Sequence, residues 1–383
     1  MFKRMQSMQM QAVHCFQTMG PDQHEYRAII ALHNTHLGPA LGGCRCLEYA
    51  NEQLAFDDAM RLAQGMSYKA ALANIPQGGG KSVILLPNNV APEQINRQFL
   101  FTWFGQCVEQ LQGQYITAMD VGTQVADMDT VAQQTRHVAS ASNIGDPASA
   151  TADGVIAGIK AAIDSYFNNL ENTHYAKVKS HALTQNIFSE KTFAVQGLGH
   201  VGWRVAKALH YLGGRVIAAD PDVEKCLQAE ALGIKIVPTD KILIQPCDVL
   251  VPCALGGIIH ADNVRDLRCK IIAGSANNQL ADNEVAEVLD KRGILYTPDY
   301  VINAGGLIFA SMQYNAQGQS VEDINDKVSQ KIAEIYSTLS AIFQQAKASQ
   351  KNVNQVANEL AQQRIRSIDG VVKPSKGDVY DAA

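Results

Sequence analysis

Two lysines and one aspartate in the first third of the chain have the residue types for proton transfer beside a held carboxylate. Lys69 closes Gly65-Met-Ser-Tyr-Lys69, Lys81 follows Gly78-Gly-Gly, and Asp120 stands in Thr117-Ala-Met-Asp120-Val-Gly122. A lysine in a dry cleft beside a second cation loses basicity and can take a proton near neutral pH. A second lysine can hold a carboxylate, and a nearby aspartate can relay protons. The three glycines before Lys81 expose backbone and let a ligand come close. The same residues also fit a plainer reading, as three solvated charges on loops.

A second constellation lies further on. Gly197-Leu-Gly199-His200-Val201-Gly202 sits between a strand-like TFAVQ and a helix-like HVGWRVAKALHYL, and the next strand, RVIAAD, ends in Asp220. This context points to a dinucleotide site, the plainer alternative being a structural strand–turn–helix with a solvated aspartate. Gly197 allows the tight turn, Gly199 lets backbone approach a pyrophosphate, and Gly202 lets helix and strand pack closely. The helix start then faces the phosphates. Asp220, 18 residues beyond Gly202, stands where an acid bonds the ribose hydroxyls and repels a 2′-phosphate, which favours NAD over NADP.

The elements that must position these groups alternate between strand-like and helix-like, the pattern of an α/β protein. Strands are expected at 26–32, 81–86 and 115–118, with helices at 51–73, from about 91, and at 125–134. A Gly/Asp/Pro cluster at 145–147 reads as a linker, followed by a helix at about 152–167. The polar stretch 168–190 has no period and reads as a tolerated surface insertion, or as a new oligomer contact. From residue 191 the alternation resumes: strands at 192–196, 215–219, 234–237, 248–251 and 271–273, with helices between, describe a doubly wound parallel sheet. After Asn303 the chain reads as helix, with an amphipathic stripe over 321–347, another helix at 353–368, and a frayed tail from 369.

Composition bounds the rest. The formal charge of −5, with no block of like charges, is a poor basis for general nucleic-acid binding. No apolar run approaches a membrane span, and the start MFKRMQSMQMQ lacks the apolar core of a secretory signal. Eight cysteines without a CxxC pair read as reduced thiols of a cytoplasmic protein, and no metal site is expected.

The segments LGPALGG, RLAQGMSYKAALANIPQGGGKSVI, YITAMDVGT, FAVQGLGHVG, CDVLVPCALGGII, IIAGSANNQL and LYTPDYVINAGGLI occur in one order along the chain. Together they resemble the Glu/Leu/Phe/Val dehydrogenase superfamily, most closely its leucine dehydrogenase branch, over about 28–367. The resemblance implies two α/β domains. Residues 1–145 would form the substrate and catalytic domain, joined by C-terminal helices of about 335–372. Residues 146–334 would form the NAD-binding Rossmann domain.

By motif position, Lys69 would bind the substrate α-carboxylate, Lys81 would activate water, and Asp120 would transfer protons. Thr151 and Asn303 match positions at the nicotinamide end or the substrate amine. Cys253, Ala254, Ala276 and Asn277 match the coenzyme side. The implied reaction is reversible oxidative deamination. Hydride leaves Cα for NAD, water activated by Lys81 attacks the resulting iminium, and collapse gives a 2-oxo acid and ammonia. A homo-oligomer is implied as well.

Glutamate-using members place a lysine where Leu41 stands and a serine where Ala310 stands. An apolar wall of Leu41, Gly42, Ala118, Leu307 and Ala310 would leave a side-chain carboxylate unpaired, at a cost of several kcal/mol. It suits leucine or another branched-chain residue. The segments KAALANIPQGGGK, IIAGSANNQL and NAGGLI also look like cyanobacterial tryptophan dehydrogenases, and Ala310 is smaller than the valine usual in leucine enzymes. Met119 replaces the acid that usually precedes the aspartate. Two rival classes remain open. A regulatory NAD-binding protein would not need the lysines and the aspartate. A 2-hydroxy acid dehydrogenase would need a histidine–carboxylate pair, for which His137, His200 and His260 show no partner in the sequence.

Overall fold

The computed structural model describes residues 2–139, 142, 146–171, 186–316 and 321–367. The expected linker glycine at 145, the middle of the 168–190 stretch and the tail from 369 lie outside them. The chain forms two compact units, one of Met1–Ala141 with Ala361–Ala383 and one of Ser142–Leu360.

In the first unit the elements run α1 (Phe2–Ser7), β1 (Ala12–Met19), β2 (Glu25–Asn34), β3 (Ala40–Leu47), α2 (Glu52–Leu72), β4 (Gly78–Leu85), α3 (Arg97–Glu109), β5 (Tyr115–Met119) and α4 (Val125–Ala132). The sheet order is β1-β2-β4-β3-β5. Strands β3, β4 and β5 are parallel, while β2 is antiparallel to both β1 and β4. Both faces of β2 are covered, as expected for an interior strand. Tyr26, Ala28, Ile30 and Leu32 join Leu100, Phe101, Phe104 and Met128 of α3 and α4 in one core cluster. Ile29 and Ala31 join Ala55, Ala59, Met60 and Ala63 of α2 in the other.

Helix α2 begins where the sequence pattern places it. The Asn51 side chain accepts from the Leu54 amide and caps the first turn. Its buried face is largely alanine, so the helix lies very close to β4. A Cβ at Gly79 would come within 2.0 Å of the Ser67 amide nitrogen on α2. Gly78–Gly80 are therefore buried strand residues, of which Gly79 admits the helix, and not backbone exposed on a loop. Strands β1 and β3 were not anticipated.

In the second unit the elements run α5 (Pro147–Glu171), β6 (Thr192–Gln196), α6 (His200–Tyr211), β7 (Arg215–Ala219), α7 (Val223–Ala231), β8 (Lys235–Ile236), β9 (Val249–Pro252), β10 (Ile271–Ile272), α8 (Asn283–Lys291), β11 (Leu295–Tyr296), α9 (Asp299–Ile302), α10 (Gly305–Asn315), α11 (Val321–Ser349) and α12 (Val353–Arg366). The sheet is entirely parallel, in the order β11-β10-β9-β6-β7-β8. This is the doubly wound order, and its direction of growth reverses between β6 and β9.

The C-terminal helices expected in the first domain from about 335 divide otherwise, because α11 belongs to the second unit. Its apolar stripe packs on α5, where Gly154 and Gly158 face Ile335 and Leu339. Tyr336 Oη donates to Asp164 Oδ2 at 2.9 Å. Only from Ala361, within α12, does the chain group with the first unit. There Gln362 Nε2 donates to Tyr68 Oη at 2.8 Å, and Arg364 Nη1 donates to the Ala71 carbonyl at the end of α2.

Candidate active site

The first unit brings Lys81 and Asp120 into direct contact. Lys81 lies in β4 at 5% exposure, and its Nζ donates to Asp120 Oδ2. Neither residue is a solvated loop charge. Asp120 directly follows β5, and the turn after it is pinned. The Asp120 amide donates to Thr123 Oγ1 at 2.9 Å, and that hydroxyl donates to the Asp120 carbonyl at 2.7 Å. Gly122 completes the turn at φ +80°, against the Cys46 carbonyl. Arg97 holds both the Gly122 carbonyl and Asp127.

Room for the pair comes from β3. Gly43 is in register with Ala118 of β5. A Cβ on Gly43 would stand 2.7 Å from Asp120 Cβ and 3.2 Å from Lys81 Nζ. Its neighbour Gly42 faces the β4 backbone, where a Cβ would meet the Gly80 carbonyl oxygen at 1.7 Å.

The electrostatics are strongly coupled. Burial lowers the proton affinity of the Lys81 amine, against the pull of the Asp120 carboxylate, and Arg45 lowers it further. Burial pushes the Asp120 carboxyl up, but Lys81 and then Arg45 outweigh it and hold it below the ordinary carboxylate range. Such a pair exchanges protons as a unit.

Arg45 was missed at the level of sequence. Its Nε lies 3.4 Å from Asp120 Oδ2 and its Nη1 2.7 Å from Asp58 Oδ2. The only signal in the sequence is its place in LGGCRC, two residues after Gly43.

Of the other predicted residues in this unit, Lys69 is half-buried in the last turn of α2, which lies along β4. Leu41 is 1% exposed in β3, in register with Gly79 and Ile116. Ala118 is half-buried and belongs to β5.

The second unit assembles the nucleotide constellation at the carboxyl ends of β6 and β9, where the strand order reverses. Gly197 turns at φ +90°. A Cβ there would meet Ala254 Cβ at 2.9 Å, and one on Gly202 would meet the Gly197 carbonyl oxygen at 2.0 Å and Cys253 Cβ at 3.0 Å. A Cβ on Gly199, by contrast, would find nothing within 4 Å among the described residues. Gly199 is also the N-cap of α6 and supplies no side chain to the helix start, which His200 and Val201 begin. Backbone amides at this end are thus open to an anionic ligand.

Asp220 closes the other side of the turn. Its Oδ2 accepts from the Leu198 amide at 2.6 Å and its Oδ1 from the Asp222 amide at 2.9 Å. These contacts fix the carboxylate beside the glycine turn, as a ribose-binding acid requires. The residues present fit a dinucleotide.

Nearby, Asn303 Nδ2 donates to the Ser275 carbonyl at 3.0 Å and to Asn277 Oδ1 at 2.8 Å. Its buried Oδ1 has no hydrogen-bond partner among the described residues. Ala276 is buried beside them, and Thr151 Oγ1 donates to the Pro147 carbonyl, close to Gly306. Leu307 and Ala310 lie one turn apart on α10. His260, for which the sequence shows no partner, has its Nδ1 3.4 Å from Asp262 Oδ2, and Asp262 is almost fully exposed. This pair has no dry setting. Among the described residues no group of three or more His, Cys, Asp or Glu is arranged to hold a metal, and no helix is long and apolar enough to cross a membrane.

Three family models match the chain. "Glu/Leu/Phe/Val dehydrogenase, dimerisation domain" covers residues 9–137, and "Glutamate/Leucine/Phenylalanine/Valine dehydrogenase" covers 222–369. "D-isomer specific 2-hydroxyacid dehydrogenase, NAD binding domain" covers 156–255. The leucine dehydrogenase of Thermoactinomyces intermedius is 38% identical over 88% of this chain and 87% of its own. The L-tryptophan dehydrogenase of Nostoc punctiforme is 40% identical over 89% and 90%. A crystal structure of L-tryptophan dehydrogenase from Nostoc punctiforme superposes with a TM-score of 0.79 at 37% identity, covering 96% of this chain and 99% of that one.

Proposed function

The chain belongs to the Glu/Leu/Phe/Val dehydrogenase family and is an NAD-dependent L-amino acid dehydrogenase, and from that premise we propose that its substrate is leucine or another branched-chain L-amino acid. The buried, apolar Leu41 carries this reading. At that position an ionised substrate side chain would be stripped of water without a partner, at a cost of several kcal/mol. Ala118, Leu307 and Ala310 add no charge, so an aliphatic side chain is accepted and a carboxylate is refused.

We assign the roles as follows. Lys69 holds the α-carboxylate. When bound, NAD accepts the hydride from the substrate Cα; Gly197, Gly199, Gly202, His200, Val201 and Asp220 would hold its phosphates and ribose. Thr151, Cys253, Ala254, Ala276, Asn277 and Asn303 would line its nicotinamide side. Lys81, in its neutral form, takes a proton from the water that attacks the substrate iminium. Asp120 receives and returns protons as the carbinolamine collapses to 2-oxo acid and ammonia. The match to a dimerisation domain supports assembly from like subunits, and free thiols such as Cys44 and Cys247 suit the cytoplasm.

A second reading, an aromatic substrate, is favoured by the 40% identity to an L-tryptophan dehydrogenase and by the small Ala310. Initial rates with leucine, valine, phenylalanine and tryptophan, and the ammonia dependence of NADH oxidation with the matching 2-oxo acids, decide between them. Leucine or valine is expected to give the highest kcat/KM. An aromatic kcat/KM well above leucine would select the second reading, and no ammonia dependence would reject both.

A further inference from the structure

Lys81 and Asp120 do not form an isolated pair. Arg45 Nε faces the same Asp120 oxygen that Lys81 holds. Arg45 is in turn anchored by Asp58 of α2, at 2.7 Å. Asp58 also accepts from Tyr49 Oη at 2.8 Å and from Arg61 Nη2 at 2.8 Å. The charged groups therefore alternate in sign from Lys81 through Asp120 and Arg45 to Asp58. The remaining neighbour, the Cys44 thiol, is pushed up by burial and stays protonated and uncharged.

This order matters once Lys81 acts as a base. A neutral Lys81 leaves Asp120 without its counter-ion in a largely buried place, a cost that would hold the proton on Lys81. A guanidinium cannot give up its proton and so remains a cation throughout. Arg45 is the cation in place to do this, and Asp58 keeps its Nη1 engaged so that the fork does not close fully on Asp120.

We propose that Arg45 is a positioning residue that serves as the standing counter-cation of Asp120 while Lys81 is neutral, and that Asp58 limits how strongly Arg45 bears on the pair. This rests on the reading of Lys81 and Asp120 as the proton-handling groups.

The test is the pH profile of kcat/KM for oxidative deamination, which rises as Lys81 loses its proton. In Arg45→Gln the loss of a nearby cation moves the rising limb to higher pH by about one unit. In Asp58→Asn the Arg45 charge bears undiminished on Lys81, and the limb moves to lower pH. Arg45→Lys keeps the charge without the fork and returns the limb toward wild type. KM for the amino acid changes little, because none of these residues holds its carboxylate. Opposite shifts in Arg45→Gln and Asp58→Asn bear the proposal out. A lowered rate with an unmoved limb, or shifts of the same sign, overturns it and marks the network as scaffolding. If Arg45→Gln does not fold, Asp58→Asn and Arg45→Lys decide alone: a downward shift in the first and a limb near wild type in the second are required. The underlying reading fails separately, if wild type shows no ammonia-dependent turnover or if Lys81→Ala keeps it.

Discussion

Gly43 and Asp120 stand so close that a methyl group on Gly43 would lie 2.7 Å from the Asp120 Cβ. The absent side chain on β3 is what allows the carboxylate to reach Lys81. Gly43→Ala is predicted to lower kcat at least about tenfold while costing about 1–3 kcal/mol of stability, the usual range for overpacking. Steady-state rates and a urea melt check this. Wild-type turnover in a folded Gly43→Ala would show that the close approach has no role in the reaction.

The apolar wall makes a second prediction. Leu41→Lys places an ammonium at a position that is 1% exposed, with no anion assigned to it. Its kcat/KM for leucine should fall by at least about a hundredfold, in line with a penalty of several kcal/mol for an unpaired charge. With Ala310→Ser added, the ratio of glutamate to leucine activity should rise. A variant that still prefers leucine as strongly as wild type would remove Leu41 from the substrate pocket.

Asp220 should set cofactor choice. Its carboxylate is held at the glycine turn by the Leu198 and Asp222 amides. Asp220→Asn replaces a charged acceptor with a neutral one, a loss of about 1.5–3 kcal/mol for a hydrogen bond of this type. NADH affinity by fluorescence titration should drop roughly tenfold to a hundredfold, and the margin over NADPH should narrow. An unchanged NADH affinity would place the ribose elsewhere.

Acid should destabilise the protein in two stages. Burial pulls the His33 imidazole, set 2.8 Å from Ser67 Oγ, down to about 4. Its unfolded counterpart titrates near 6.5. As pH falls from about 6.5 to 4 the unfolded state binds that proton first, so stability drops by on the order of 3 kcal/mol. Below about pH 4 the carboxyls of Asp58 and Asp120 add a second loss. In both, burial raises the carboxyl but Tyr49 and Arg45 at Asp58, and Lys81 and Arg45 at Asp120, hold it below the ordinary range. Their stabilisation is complete above the unfolded value and disappears as pH falls through the folded one. Urea midpoints between pH 7 and 3 should trace this descent. In His33→Gln, the slope between pH 6.5 and 4 should flatten. An equal slope would contradict the assignment.

The second unit was the more legible in sequence, and the reason is local. Thr192–Gln196 and Arg215–Ala219 are short apolar runs punctuated by Gly197 and by a capped helix start, so period and turn chemistry agree. In the first unit β3 was missed because Ala40–Leu47 carries Gly42 and Gly43, residues that usually weaken a strand. Their purpose, room for the β4 backbone and for the Lys81–Asp120 pair, is visible only across strands. Arg45 was hidden for the same reason, since its partners come from α2 and from the end of β5. The position of α11 also could not be read from its stripe. An apolar face says that a helix is covered, but not by which unit, and here α5 covers it with Gly154 and Gly158.

We propose that Lys81 and Asp120 together handle the protons of oxidative deamination. Comparing kcat of Lys81→Ala and Asp120→Asn with wild type, at saturating leucine and NAD and with the fold checked by circular dichroism, tests it most directly. Each variant should lose at least about a hundredfold in kcat, within the range for removal of a general acid or base, while still binding NADH. Turnover near wild type in either folded variant would contradict the account.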